Sequence, residues 1–333
     1  MIKVTSTLLA VFFIAAFVNA AAPDILRGSW SIDRGSNEGM HINIRRGHSN
    51  YSMQTLDGVN LQSLADGPVQ FKIEREAGIF QFEGVIRNGV GGGELELQIK
   101  PQFVSEMSRL GHSNISDDEL FLMASLNLTT AEVKELNSLG YNKITTDQLV
   151  EMKIHGVSPK FIRDLQARGY DNLAEEKLVE MKIHGVTPEF IDAISAAGYP
   201  HVATNRLVEM KIHGVDPDWI HQLEKLGYKN LSLERMVEFR IHGVSPSFIE
   251  EMQQLGYSNL PEERLVEFRI HGVSSTYIHE LNELGYHNIP PEQLVEMRIF
   301  NVQPQFIKDI QSQKGSQPTI RELINRRIHG NND

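Results

Sequence analysis

The sequence predicts an α+β multidomain protein: a small antiparallel β domain, a sandwich or an open barrel, followed by an α-solenoid of two-helix, 29-residue repeats. Three observations predict it. Five histidines, His155, His184, His213, His242 and His271, stand 29 residues apart. Apolar residues alternate with polar ones up to about residue 100 and follow a helical period after it. Each 29-residue copy is interrupted twice, at fixed places, by a glycine followed by an apolar residue, as helix ends require.

Residues 1–22 read as a signal peptide. Lys3 supplies a positive start and Leu8 to Val18 an apolar core, shorter than the roughly 20 residues that span a bilayer. Val18-Asn19-Ala20 is a cleavage site of small residues. The expected protein is exported, to the periplasm or the extracellular space, with no membrane insertion after cleavage. The absence of cysteine fits an oxidising compartment and excludes disulfides, thiolate metal sites and a cysteine nucleophile.

Residues 23–100 alternate over Ser29–Asp33, His41–Arg45, Val69–Glu74, Ile79–Glu83 and Glu94–Ile99, the mark of half-buried strands. Turn signals at Asp57-Gly58, Asp66-Gly67-Pro68, Ala77-Gly78 and Asn88-Gly89 separate them. The last two suit hairpins. Gly91-Gly92-Gly93 is expected as a turn or bulge. It lacks the Lys-Ser/Thr pair of a phosphate loop.

Residues 101–330 carry the repeats, and 331–333 a short tail. The cleanest copy predicts a first helix over about 174–184, with Leu178, Val179, Met181 and Ile183 as its apolar face. Gly185 ends it in a left-handed turn, with Val186 as the apolar contact beyond. Thr187 then caps a second helix with Pro188 at its first position. Ser158-Pro159, Asp216-Pro217 and Ser245-Pro246 repeat the device. Phe190, Ile191 and Ile194 are its buried stripe, and Gly198-Tyr199 close it. The register runs from a second helix at about 101 to a first helix at about 330, roughly sixteen helices in all. Formal charge is −11, and residues 101–333 hold nearly all of it. That acidity argues against a nucleic-acid partner, whose phosphates need a basic face.

No catalytic motif is present: there is no H-E-x-x-H and no G-x-S-x-G. The histidine row invites a metal-binding reading. Zinc ligands sit about 2 Å from the ion, whereas equivalent atoms of neighbouring repeats lie about 10 Å apart. The same slot holds Leu126 and Phe300 at the ends of the array, so it reads as partly buried packing. Two charge rows form the candidate interaction surface. Lys153, Lys182, Lys211, Arg240, Arg269 and Arg298 make the cationic row; Glu151, Glu180, Glu209, Glu238, Glu267 and Glu296 make the anionic one. They are equally the solvated face of any repeated helix, with ion pairs between repeats. Phe161, Phe190, Trp219, Phe248, Tyr277 and Phe306 read as core. Tyr141, Tyr170, Tyr199, Tyr228, Tyr257 and Tyr286 read as inter-repeat packing with hydrated hydroxyls.

The Gly-Val-Ser/Thr-Pro-x-Phe-Ile…Leu-Gly-Tyr repeats, preceded by the β segment Val69–Gly84, resemble the exported C-terminal regions of some bacterial β-lactam-sensor-type membrane metallopeptidases. The resemblance spans about residues 25–330. It implies an extracytoplasmic sensing or interaction module. The peptidase's own helices and zinc motif are missing, so no catalysis and no cofactor carries over. The expectation is therefore a non-enzymatic binding or scaffold protein with a protein or peptide partner. The alternative is a ligand or metal/pH sensor using the β domain or the histidine row.

Overall fold

A computed structural model describes residues 25–34, 40–47, 49–53 and 66–330. The expected leader, the Asp57-Gly58 turn and the tail lie outside the described residues. The chain divides between Ile154 and His155 into two compact units. The change from strand to helix falls earlier, between Ile99 and Pro101.

Among its described residues the first unit holds six strands: β1 (Ile25–Arg34), β2 (Met40–Arg46), β3 (Ser49–Met53), β4 (Gly67–Glu74), β5 (Gly78–Arg87) and β6 (Val90–Ile99). They form one antiparallel sheet in the order β3-β2-β1-β6-β5-β4. Among the described residues it is a single open sheet with β3 and β4 as its edges, not a two-sheet sandwich. Its inner face is the alternating set the sequence carries, with Ile32, Ile42, Ile44, Phe80, Phe82, Leu95 and Leu97 buried. Asn88 and Gly89, both at positive φ, make the tight β5–β6 turn. The Gly91-Gly92-Gly93 run is no turn or bulge. It lies inside β6 in unbroken register with β1 and β5. A Cβ on Gly93 would fall 2.0 Å from the Glu83 carbonyl oxygen, and one on Gly84 would fall 2.8 Å from the Trp30 ring. Gly84 thus admits the indole, whose N–H donates to the Glu83 carbonyl at 3.0 Å.

Four helices complete this unit: α1 (Pro101–Arg109), α2 (Asp117–Ser125), α3 (Thr130–Ser138) and α4 (Thr146–Ile154). Phe121 of α2 packs edge-on against Phe80 of the sheet. The β4–β5 turn then grips two helix ends. Buried Arg75 donates to the carbonyls of Ala124, at 2.8 Å, and Ser125 at the C-terminus of α2. The Glu76 carboxylate accepts from the Thr130 N–H at 3.3 Å at the N-terminus of α3. Each charge sits at the helix end that favours it.

The second unit holds α5 (Pro159–Gln166), α6 (Glu175–Ile183), α7 (Pro188–Ala196), α8 (Thr204–His213), α9 (Pro217–Lys225), α10 (Leu233–His242), α11 (Pro246–Gln254), α12 (Glu262–His271), α13 (Ser275–Glu283), α14 (Pro291–Ile299), α15 (Pro304–Lys314) and α16 (Ile320–His329). The even-numbered first helices stack on one another, as do the odd-numbered second helices, so the unit is a two-layered α-solenoid. Local chemistry sets each boundary. Thr187 accepts from the Phe190 N–H at 3.2 Å, and Ser158, Asp216, Ser245 and Ser274 repeat that cap. Gly185 stands at φ +70, and the Val186 N–H reaches back to the Met181 carbonyl at 2.8 Å, the closure of a Schellman turn. Leu178, Val179, Met181, Val186, Phe190, Ile191 and Ile194 are all buried.

Candidate functional site

Both charge rows lie on the first helices, but they do not pair with each other. The cations are held by the preceding repeat. Lys182 sits 5.0 Å from the centre of the Phe161 ring and Lys211 4.8 Å from Phe190. Arg240, Arg269 and Arg298 lie 5.0, 5.0 and 4.9 Å from Trp219, Phe248 and Tyr277. Arg327 over Phe306, at 4.3 Å, extends the row by one. A cation on an aromatic face contributes roughly 0.5–2 kcal/mol, more as water is excluded. The arginines also donate to the turn of the preceding repeat. Arg240 reaches the His213 carbonyl at 3.1 Å and the Gly214 carbonyl; Arg269 and Arg298 reach the carbonyls of His242 and His271 at 3.3 and 3.1 Å. Lys153, in the first unit, instead pairs with Glu132 at 2.7 Å.

The glutamates form a separate ladder. Glu180, Glu209, Glu238 and Glu267 each pair with the cation three residues earlier, Lys177, Arg206, Arg235 or Arg264. Arg206, Arg235 and Arg264 also reach the next first helix, at Glu234, at Glu262 and Glu263, and at Glu292. Glu151 and Glu296 occupy the same position on α4 and α14 and are exposed.

The histidines end the first helices, on the turn that the next repeat contacts. His155, His213, His242 and His271 are half-buried and His184 is exposed. At three of them the backbone carbonyl, not the ring, receives the inter-repeat bond. Among the described residues no three His, Asp or Glu side chains form a group that could hold a metal ion. The tyrosine hydroxyls, expected to be hydrated, have protein partners. Tyr170, Tyr199, Tyr228, Tyr257 and Tyr286 donate to the carbonyls of Val202, Leu231, Leu260, Ile289 and Pro318, at 2.6–2.9 Å. Each bond reaches 32 residues onward, into the next repeat.

The feature missed from sequence is an isoleucine row. Ile183, expected in the apolar core of α6, is 56% exposed. Ile212, Ile241, Ile270, Ile299 and Ile328 hold the same place and are 47–58% exposed. Ile154 matches them on α4 at 49%. Residue 183 follows Glu176 by seven and Glu180 by three, but also buried Val179 by four, which puts it at the border of the apolar face in the last turn of α6. Single exposed isoleucines are ordinary, but one per repeat in line is an apolar strip.

No helix of the described residues is long and apolar enough to cross a membrane. A scan against protein-family models and a search of curated proteins found no match to the chain.

Proposed function

We propose that this is an exported, non-enzymatic binding or scaffold protein whose helical-repeat surface engages a protein or peptide partner, in envelope sensing of the kind its resemblance to sensor-peptidase regions implies. The observation that carries the reading is the isoleucine row. The two charge rows are largely engaged in tying one repeat to the next. The isoleucines are not needed for that task, since the core is already filled by Leu178, Met181 and their counterparts. An aliphatic side chain held at one solvent-facing position through every repeat lowers solubility without adding to the core. A docking surface accounts for it.

The test is an affinity capture from the organism's own envelope extract, with residues 21–333 as bait, beside the variant carrying Ile212→Asp, Ile241→Asp and Ile270→Asp. A protein enriched by the parent and lost with the variant, at equal helicity, is the expected result. The same partner captured equally by both would refute the isoleucine face as the docking surface.

A further inference from the structure

We infer that the second unit is jointed: its hinge is the seam at which α6 and α7 meet α8 and α9, and the repeats from α8 onward move as one block against α5, α6 and α7. The joint goes beyond the docking reading and holds whatever the repeats bind.

Ties that close the later seams are missing or weakened at this one. The first kind lies between first helices. Arg206, Arg235 and Arg264 each form ion pairs with the next first helix, at Glu234, at Glu262 and Glu263, and at Glu292. Between α6 and α8 the matching residues are Lys177 and Asn205, so a neutral amide stands where the later seams have a carboxylate. The second kind grips the preceding turn. Arg240, Arg269 and Arg298 lie on a ring and also donate to the carbonyls of His213, His242 and His271. Lys211 keeps its place 4.8 Å from the centre of the Phe190 ring. Among the described residues it has no bond to a turn carbonyl, since a point-charge ammonium lacks the fork with which a guanidinium stacks and donates at once.

The third kind is aromatic. Tyr228 and Tyr257 meet Phe239 and Phe268 edge-on, with ring centres 6.4 and 6.2 Å apart. For Tyr199 the corresponding residue is Met210. The fourth joins second helices. Gln253 and Gln311 donate side-chain amides to the carbonyls of Leu226 and Leu284, at 3.0 and 3.1 Å. At the α7–α9 seam that slot holds Glu224, whose carboxylate only accepts. It bonds His221 of its own helix at 3.1 Å. In an array held by nearest-neighbour interfaces, the weakest interface yields first. The seam before it is closed by Arg168, at the end of α5, which makes two hydrogen bonds to Asp192 on α7. The Tyr199 hydroxyl, on the Leu231 carbonyl at 2.9 Å, keeps the two blocks together as they tilt.

Because the chain contains no cysteine, paired spin labels report on the joint without background. Glu189→Cys with Thr276→Cys spans this seam and the two after it; Asp218→Cys with Gln305→Cys spans three later seams. These four residues are exposed and share one slot on the second helices, so the labels of each pair sit roughly 25–30 Å apart. Pulsed double electron–electron resonance on residues 21–333 is expected to give a distance distribution about twofold broader for the first pair than for the second. Asn205→Glu, Lys211→Arg and Glu224→Gln together install the residues of the later seams, and none of the three positions is buried. They should narrow the first distribution to the width of the second and leave the second unchanged. Equal widths in the parent would overturn the joint, as would a first distribution that the three substitutions leave broad at unchanged helicity. Lys211→Arg alone, at an exposed position, should narrow it in part, and a width that it does not move would count equally against the joint.

Discussion

Tyr228 shows how a single hydroxyl joins two repeats. Its O–H donates to the Leu260 carbonyl at 2.8 Å, and burial, with Glu262 nearby, pushes the phenol up to about 12. Tyr170, Tyr199, Tyr257 and Tyr286 are raised by burial in the same way. The sign of the consequence is fixed. As pH rises past the ordinary phenol value, the unfolded chain loses protons that the native one keeps, so native stability falls between about pH 10 and 12. Ionisation of these phenols, read as the absorbance that the corresponding Tyr→Phe variants lose, should therefore coincide with loss of helical circular dichroism above pH 10. Ionisation of the same phenols at pH 10 with the helices intact would contradict it. Tyr228→Phe should cost about 1 kcal/mol at neutral pH, the net worth of one hydrogen bond, read from the urea midpoint. The sequence showed that a tyrosine recurs, not where its oxygen ends. The partner carbonyl lies in a loop 32 residues away and has no residue signature. Ile183 lies at the border of the apolar face, three residues after Glu180 and four after buried Val179, so its hydrophobicity alone does not place it in the core.

At the scale of elements, the legible parts are those governed by local chemistry. Ser, Thr or Asp before proline, and glycine before valine, set helix boundaries within a residue of expectation, because a cap is satisfied by atoms three to five residues away. Strand β3 was not legible. Ser49-Asn50-Tyr51-Ser52-Met53 has no clean alternation, and its strand state comes from pairing with β2. The Arg75–Glu76 turn was invisible for a similar reason, since nothing in a β hairpin announces that it will close the ends of two helices. Arg75→Leu is expected to cost about 2 kcal/mol, as charge-assisted bonds to buried carbonyls do. Hydrogen exchange should then quicken in α2 and α3 while α10 and α12 stay as slow as in the parent. Unchanged protection at Ala124 and Ser125 would show that the clamp contributes nothing.

For the whole molecule, a period of 29 residues is a constraint that every inter-repeat contact shares. The cation on its ring, the arginine on the preceding turn and the tyrosine on the next loop all count residues along the same repeat. Stability in such an array is close to a sum of repeats and nearest-neighbour interfaces. Excision of Asp216–Val244 removes one whole period and joins Val215 to Ser245. Arg269 then meets the His213 carbonyl in place of His242, and Tyr199 meets Leu260 in place of Leu231, so each ladder closes again. That protein should keep its helicity per residue, with a urea m-value reduced in proportion to the surface lost. Excision of Asp218–Val244 is two residues shorter and takes less from the chain, yet it puts every ladder at the junction out of step. Several contacts worth about 1 kcal/mol each are lost together. Its unfolding midpoint should fall below that of the longer deletion. If the two deletions melt alike, the ladders are incidental and the stacked apolar core alone holds the array; if the shorter one fails first, the repeat length itself is what the ladders maintain.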